Sequence, residues 1–245
     1  MTGAGARIGR AIALDLAAHG WTVAVHHHRS AAAAAEVVDE IVKGGGRAVA
    51  LATDLAVEAE AESLVEAAAE AAGAVTCLVN NASVFEYDTV ETASRESWDR
   101  HLEVNLRAPL VLSQAFARAL PEGKRGVIVN MVDQRVWNLT PHFVSYTLSK
   151  AGLWTLTQTL ALALAPRIRV NAIGPGPVLA SARQSEPAFA AQIARTPLKR
   201  RIGLDELCAA VRFVVDAPSV TGQMIAVDGG QHLGWQHPGA APVSE

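Results

Sequence analysis

Cysteine is scarce in this chain: Cys77 and Cys208 are the two in 245 residues. One falls in a predicted buried strand and the other in a predicted helix. Both read as small core residues of a reduced, cytoplasmic protein, not as a disulfide or metal pair. No run of Lys and Arg forms a basic stripe, and 21 basic against 24 acidic residues leave a net charge of −3. A nucleic-acid or anionic-membrane partner finds no electrostatic footprint here. Uninterrupted apolar runs of about 18 residues are also missing, which argues against a spanning helix. The longest candidate, Ala151 to Ala165, contains Thr155, Thr157, Gln158 and Thr159 and reads as a buried helix. Aromatic residues make up only 5%, and tyrosine occurs twice, so a tyrosine inside a chemical pattern stands out.

What is present is a chain that is 50% apolar and alanine-rich, long enough to bury one large core. Short apolar runs alternate with amphipathic segments, which is the pattern of βα units around a parallel sheet. Helices are predicted at Arg7–His19, Ser30–Lys43 (Ser30 as N-cap), Val57–Ala72, Ser97–Leu120, Phe143–Leu164, Ala188–Arg195 and Asp205–Asp216. Strands are predicted at Thr22–His27, Ala48–Ala52, Val75–Asn80, Val127–Met131, Arg169–Ile173 and Met224–Val227. Neither repeats nor a linker interrupt the series, so residues 1–245 read as a single α/β domain with a Rossmann-like, doubly wound parallel sheet.

In that fold a glycine-rich turn follows a strand, yet Met1-Thr2-Gly3 leaves no residues for one. A missing central strand would remove on the order of ten ladder bonds at ~0.5–1.5 kcal/mol net each, against a whole-domain stability of ~5–15 kcal/mol. The expectation is that about six to ten residues ending in an apolar run precede Met1 in the natural protein.

Thr2-Gly-Ala-Gly-Ala-Arg-Ile-Gly9 opens a helix, and Gly3, Gly5 and Gly9 would let the backbone approach a pyrophosphate at the helix N-terminus. A flexible terminus is the plainer alternative. The end of the next strand, His26-His-His-Arg29-Ser30, carries no carboxylate to bind a ribose 2′-hydroxyl. Arg29 and Ser30 instead suit a 2′-phosphate, which favours NADP over NAD, although a solvated turn with incidental histidines would look the same.

Tyr146 and Lys150 are spaced to share one helical face. Tyrosine ordinarily titrates near ~10, and a cation beside it makes proton transfer practical. Asp133 lies thirteen residues before the tyrosine.

Together these residues resemble the short-chain dehydrogenase/reductase family over essentially the whole chain. The marks are the Thr2–Gly9 turn, Asp54, Asn80-Asn-Ala82, Asn105, Tyr146-x-x-x-Lys150, Asn171-Ala-Ile-Gly-Pro-Gly176 and Val227-Asp-Gly-Gly230. The resemblance implies Tyr146 as proton donor, Lys150 gripping the nicotinamide ribose, and Asn105 holding a relay water. Cofactor contacts would come from Gly3, Gly5, Arg7, Ile8, Gly9, His28, Arg29, Ser30, Asp54, Leu55, Asn81, Ala82, Ser83, Tyr146, Lys150, Pro175, Gly176 and Val178. A substrate loop would span 177–203, and a homo-oligomer, commonly a tetramer, would form through the Tyr146 helix.

Two departures point further. Asp133 stands where the family has serine, and Arg7 where it has glycine or alanine. With the strand end and Asn81-Ala-Ser-Val-Phe85, these resemble the pteridine and dihydromonapterin reductases. Phe85 would then stack on a pterin, Asp133 would meet its ring edge or relay a proton to Tyr146, and Ser83 and Arg7 would contact phosphate or pterin. Phe85 as a core aromatic and Asp133 as a partner of Arg7 or Arg135 stay open. So do a general carbonyl reductase and a non-catalytic NADP sensor. Trp137, Trp154 and Trp235 are further candidates to line a flat-ligand pocket. No metal ligand set is evident.

Overall fold

The computed structural model describes residues 1–181 and 183–234. Helices pack on both faces of parallel strands. The elements in chain order are α1 (Arg7–Ala18), β1 (Thr22–His27), α2 (Ala31–Lys43), β2 (Arg47–Ala52), α3 (Glu58–Ala72) and β3 (Cys77–Asn80). Then come α4 (Arg95–Leu102), a π-helical turn (Glu103–Arg107), α5 (Ala108–Ala119), β4 (Gly126–Met131) and α6 (Val144–Leu164). The last are β5 (Ile168–Pro175), α7 (Glu186–Arg195), α8 (Leu204–Asp216) and β6 (Met224–Val227).

β4, Gly126-Val-Ile-Val-Asn-Met131, is buried on both faces, as a near-continuous apolar run requires in a covered parallel sheet, and its polar Asn130 is bonded to Asn80 and Thr157. One helical layer contributes Ile12, Leu16, Val37, Leu207 and Val211 to the core it shares with Val25, Val129 and Ile173. The other contributes Leu64, Val65, Leu112, Phe116 and Leu160 against Ile128 and Val170. Cys77 and Cys208 are free thiols on β3 and α8.

The sheet is divided where the sequence leaves no residues for a central strand. β1 pairs with β2, and β3, β4, β5 and β6 form a separate parallel set. Between β1 and β3 lie only the opening residues. Thr2 N donates to Val79 O at 3.0 Å, His26 N to Met1 O at 3.1 Å, and Ala4 N to His26 O at 2.9 Å. Beside them an apolar cavity of about 390 Å³ is lined by Leu16, Trp21, Val23, Leu64, Leu78 and Leu112. The strand order reverses at this division, which is where doubly wound folds place their ligand crevice.

The predicted long helix Ser97–Leu120 is interrupted at Glu103–Arg107, where the π turn adds a residue to the coil. Its start is capped by Ser94, whose Oγ accepts from Ser97 N at 3.1 Å. Ser30 occupies the N-cap position of α2 without making a side-chain cap bond. α6 starts from Phe143 in the left-handed region, φ 58°.

Candidate active site

A cavity of about 920 Å³ opens at the carboxyl ends of the strands. Its floor begins with the glycine turn, which other parts of the chain hold closed. Asn81 Nδ2 donates to Thr2 O and Gly3 O, both at 3.0 Å. Thr2 Oγ1 accepts from Asn81 N at 2.9 Å and from Ala82 N at 3.0 Å. The end of β3 is thereby bonded to the turn. Gly3 has φ +59°, and a Cβ on Gly9 would lie 2.1 Å from Gly3 O. Gly9→Ala therefore cannot be accommodated without opening the turn. It is expected to weaken dinucleotide affinity at least about tenfold, measured by fluorescence titration; affinity equal to wild type would show that the turn does not shape the site. Gly5 lies off the cavity and packs its Cα against α2, 3.4 Å from Ala34 N to an added Cβ.

Arg7 also occupies the left-handed region, φ 53°, a conformation uncommon outside glycine. From there its Nη2 donates to Leu179 O at 3.2 Å and Ala180 O at 2.9 Å. The glycine turn is thus tied to the start of the 177–203 segment, and no ion pair joins Arg7 to Asp133 among the described contacts.

The candidate proton-transfer residues sit on α6 and just beyond the end of β4. Tyr146 Oη donates to Asp133 Oδ2 at 2.8 Å, and Asp133 Oδ1 accepts from Arg135 N at 2.8 Å. The carboxylate is therefore oriented from one side and shares the phenolic hydrogen on the other. Lys150 is 2% exposed; its Nζ donates to Met131 O at 2.8 Å and lies 5.8 Å from the Tyr146 ring centroid. Burial pushes the ammonium down from 10.5 to about 8, with Asp133 pulling the other way.

Phe85 forms a wall. Its ring stacks on Phe143 at 4.5 Å with 7° between planes, and it meets Tyr146 edge-on at 4.6 Å. The Arg135 guanidinium lies 4.9 Å from the Phe143 centroid, and that of Arg183 lies 5.5 Å from Phe85. Arg183 also donates to the Phe85 carbonyl.

Most of the residues named from sequence line this cavity: Gly3, Arg7, Ile8, Gly9, His28, Arg29, Asp54, Leu55, Asn81, Ala82, Ser83, Phe85, Asp133, Tyr146, Lys150, Pro175 and Gly176. Ser30, Val178 and Asn105 lie outside its lining. Val178 is buried at 1%. Asn105, inside the π turn, exchanges bonds with Val84 (N at 2.8 Å, O at 2.9 Å) and donates to Ser149 Oγ at 3.0 Å. Its amide braces the Phe85 loop against α6; π turns recur at functional sites for such local repositioning. Trp137 and Trp154, candidates for a flat-ligand pocket, pack edge-to-face on each other at 6.1 Å and are outside the lining of this cavity. Trp235 lies outside the described residues.

Sequence reasoning missed Phe143, Arg183 and His26. Nothing in a lone loop arginine signals that it reaches a ring 98 residues away. Among the described residues no helix is long and apolar enough to cross a membrane, and no cluster of three His, Cys, Asp or Glu could hold a metal ion.

A glycine turn at a strand-order reversal, facing a Tyr-x-x-x-Lys helix, defines a dinucleotide-dependent oxidoreductase class. A family model described as enoyl-(acyl carrier protein) reductase matches residues 3–232, and the chain belongs to the short-chain dehydrogenase/reductase family; it is an oxidoreductase. It is similar to the 3-oxoacyl-[acyl-carrier-protein] reductase of Synechocystis, 32% identical with 94% of each chain covered. An uncharacterized oxidoreductase of Methylorubrum extorquens is 36% identical over 94% of this chain and 95% of its own. Among solved structures, FolM alternative dihydrofolate reductase 1 from Brucella canis, complexed with NADP, is 48% identical. It superposes with TM-score 0.94, covering 98% of this chain and 95% of its own.

Proposed function

We propose that the protein is an NADPH-dependent reductase of a pterin-like ring, acting on a C=N or C=O bond with Tyr146 as the proton donor. The observation that carries this reading is the 2.8 Å bond between Tyr146 Oη and Asp133 Oδ2 beside the Phe85 wall. A serine hydroxyl serves a lone carbonyl oxygen. A carboxyl group can both accept from and, when protonated, donate to the nitrogen-rich edge of a pterin. The flat face of such a ring matches an aromatic platform already held rigid by Phe143. A substrate stacking there takes the place now held by the Arg183 guanidinium.

The cofactor preference follows from the β1 end. Arg29 and His28 face the cavity, and the nearby Asp54 is engaged by His28, 3.3 Å between Oδ2 and Nε2. A 2′-phosphate therefore meets the Arg29 guanidinium, and the solved Brucella relative was crystallised with NADP. When bound, NADPH supplies the hydride. Gly3 and Gly9 let the turn close tightly against Asn81 and Ala82, so that its backbone would face the pyrophosphate, and Lys150 holds a positive charge beneath the phenol. Tyr146 gives up its hydroxyl proton to the substrate atom beside the carbon that accepts hydride. Exposed Leu148 and Leu162 on the outer side of α6 (47% and 84% exposed) support the reading of a homo-oligomer built on this helix, a tetramer in the family pattern.

A general carbonyl or 3-oxoacyl reductase is the nearest alternative, favoured by the Synechocystis relative. A non-catalytic NADP sensor would have no use for Tyr146, Asp133 and Lys150 gathered in one cavity. Following NADPH oxidation with dihydropterins, quinones and oxoacyl thioesters separates these. Dihydropterin turnover is expected, and turnover of thioesters alone would sink the proposal.

Lys150 gives the reading a pH signature. Its cation exists below about pH 8, so turnover that depends on it is expected to fall as pH rises through that value. Stability runs the other way. Between about 8 and 10.5 the unfolded chain holds the lysine proton and the folded one does not, so this group's contribution to stability rises with pH. The thermal midpoint of wild type relative to Lys150→Met, compared at about pH 7 and about pH 9.5, is expected to increase; a constant difference would mean the ammonium keeps its ordinary affinity for the proton.

A further inference from the structure

His26 has no place in the chemistry above, and two neighbouring histidines hide it in the sequence. In the fold it is the penultimate residue of β1, at 3% exposure. Its Nδ1 accepts from Gly3 N at 3.0 Å, and its Nε2 lies 3.0 Å from Thr53 O. A carbonyl oxygen can only accept, so Nε2 carries the hydrogen and Nδ1 the lone pair. The partners thus fix one neutral tautomer, and burial, the largest cause, pushes the imidazole pKa down to about 4. The ring joins three segments: the glycine turn, the end of β1 and the end of β2.

The need for this bond comes from the backbone. Gly3 sits at φ +59°, and its half-buried N–H finds its acceptor in the His26 ring. The opposite side of the same residue is pinned by Asn81, which donates to Gly3 O at 3.0 Å. Gly3 O in turn is the atom against which Gly9 is packed. Neither neighbour substitutes for His26: His27 Nδ1 is 3.3 Å from His28 O, and His28 Nε2 faces Asp54.

We propose that His26 is a positioning residue for the dinucleotide: through Nδ1 it sets the Gly3 peptide on which the phosphate-facing turn is built. This rests on the NADPH reading above. The two ring nitrogens can be tested separately, because an asparagine Oδ1 falls where Nδ1 lies and a glutamine Nε2 falls where the ring Nε2 lies. His26→Asn keeps the acceptor for Gly3 and loses the bond to Thr53. His26→Gln keeps the donor to Thr53 and loses the acceptor for Gly3.

NADPH Kd by fluorescence titration is expected to stay within about threefold of wild type for His26→Asn and to weaken about tenfold for His26→Gln. Turnover at saturating NADPH is expected to change less than about twofold in both. Equal affinities, or the reverse order, would overturn the assignment, as would a loss of kcat with affinity intact. A measurement on the unaltered protein stands beside these in case a variant does not fold. Long-range ¹⁵N–¹H NMR is expected to show His26 with Nδ1 unprotonated and with its shift moving on NADPH addition; a protonated Nδ1 or an unmoved shift contradicts the proposal. Wild type that fails to bind NADPH at all would instead remove the cofactor reading on which this one stands.

Discussion

Tyr146→Phe is expected to lower kcat by about 10²–10⁴ while NADPH affinity stays within about twofold of wild type. The substitution removes one oxygen and nothing else that the site depends on. The ring is 6% exposed and meets Phe85 edge-on at 4.6 Å, a contact phenylalanine keeps. Lys150 retains its bond to Met131 O, and the glycine turn is bonded to Asn81 and His26, not to Tyr146. What disappears is the hydroxyl that donates to Asp133 and, in the reaction, to the substrate. Steady-state NADPH oxidation together with a cofactor titration separates the two effects. Near-normal turnover by the variant would mean that another group supplies the proton.

The second large effect is expected from Asp133→Ser. Turnover of dihydropterins should drop by about a hundredfold, whereas reduction of a simple ketone should be unchanged or improve. The carboxylate is held by Arg135 N at one oxygen and Tyr146 at the other, so its direction toward the cavity is set in advance. Serine is shorter, offers one hydroxyl, and cannot satisfy Arg135 N and Tyr146 simultaneously from the same position. It can still orient a single carbonyl oxygen, the task serine performs in the wider family. Measuring both substrate types on the one variant checks this. A parallel loss for both would assign Asp133 to general support of the site, and no loss for either would remove it from substrate recognition.

The sequence made the parallel α/β architecture legible because its strands are short apolar runs between alanine-rich helices. Tyr146, Lys150 and Asp133 were legible too, since helical spacing and a rare residue type set them apart. Other features were hidden for physical reasons. The π turn at Glu103–Arg107 contains no glycine or proline, and its one extra residue barely disturbs helical periodicity, so Ser97–Leu120 reads as one helix. The gap in the sheet was foreseeable from the missing central strand, but the backbone bonds by which Met1–Ala4 span it are not encoded in periodicity. The bonds of the Asn105 amide to Val84 and Ser149 depend on the π turn and could not be read from the sequence. Arg183 reaches Phe85 only because the 177–203 segment folds back over the cavity, where Arg7 holds Leu179 and Ala180. His26 was indistinguishable from its neighbours until β1 ended one residue beyond it and turned its ring toward Gly3.

The central claim is that Tyr146, held between Asp133 and Lys150, passes its proton to the substrate as hydride arrives. The solvent deuterium isotope effect on single-turnover NADPH oxidation with a dihydropterin reads this directly. The expected result is a normal effect in the wild-type protein that vanishes with the rate itself in Tyr146→Phe. Rapid turnover with no solvent effect, unchanged when the tyrosine hydroxyl is removed, would contradict it.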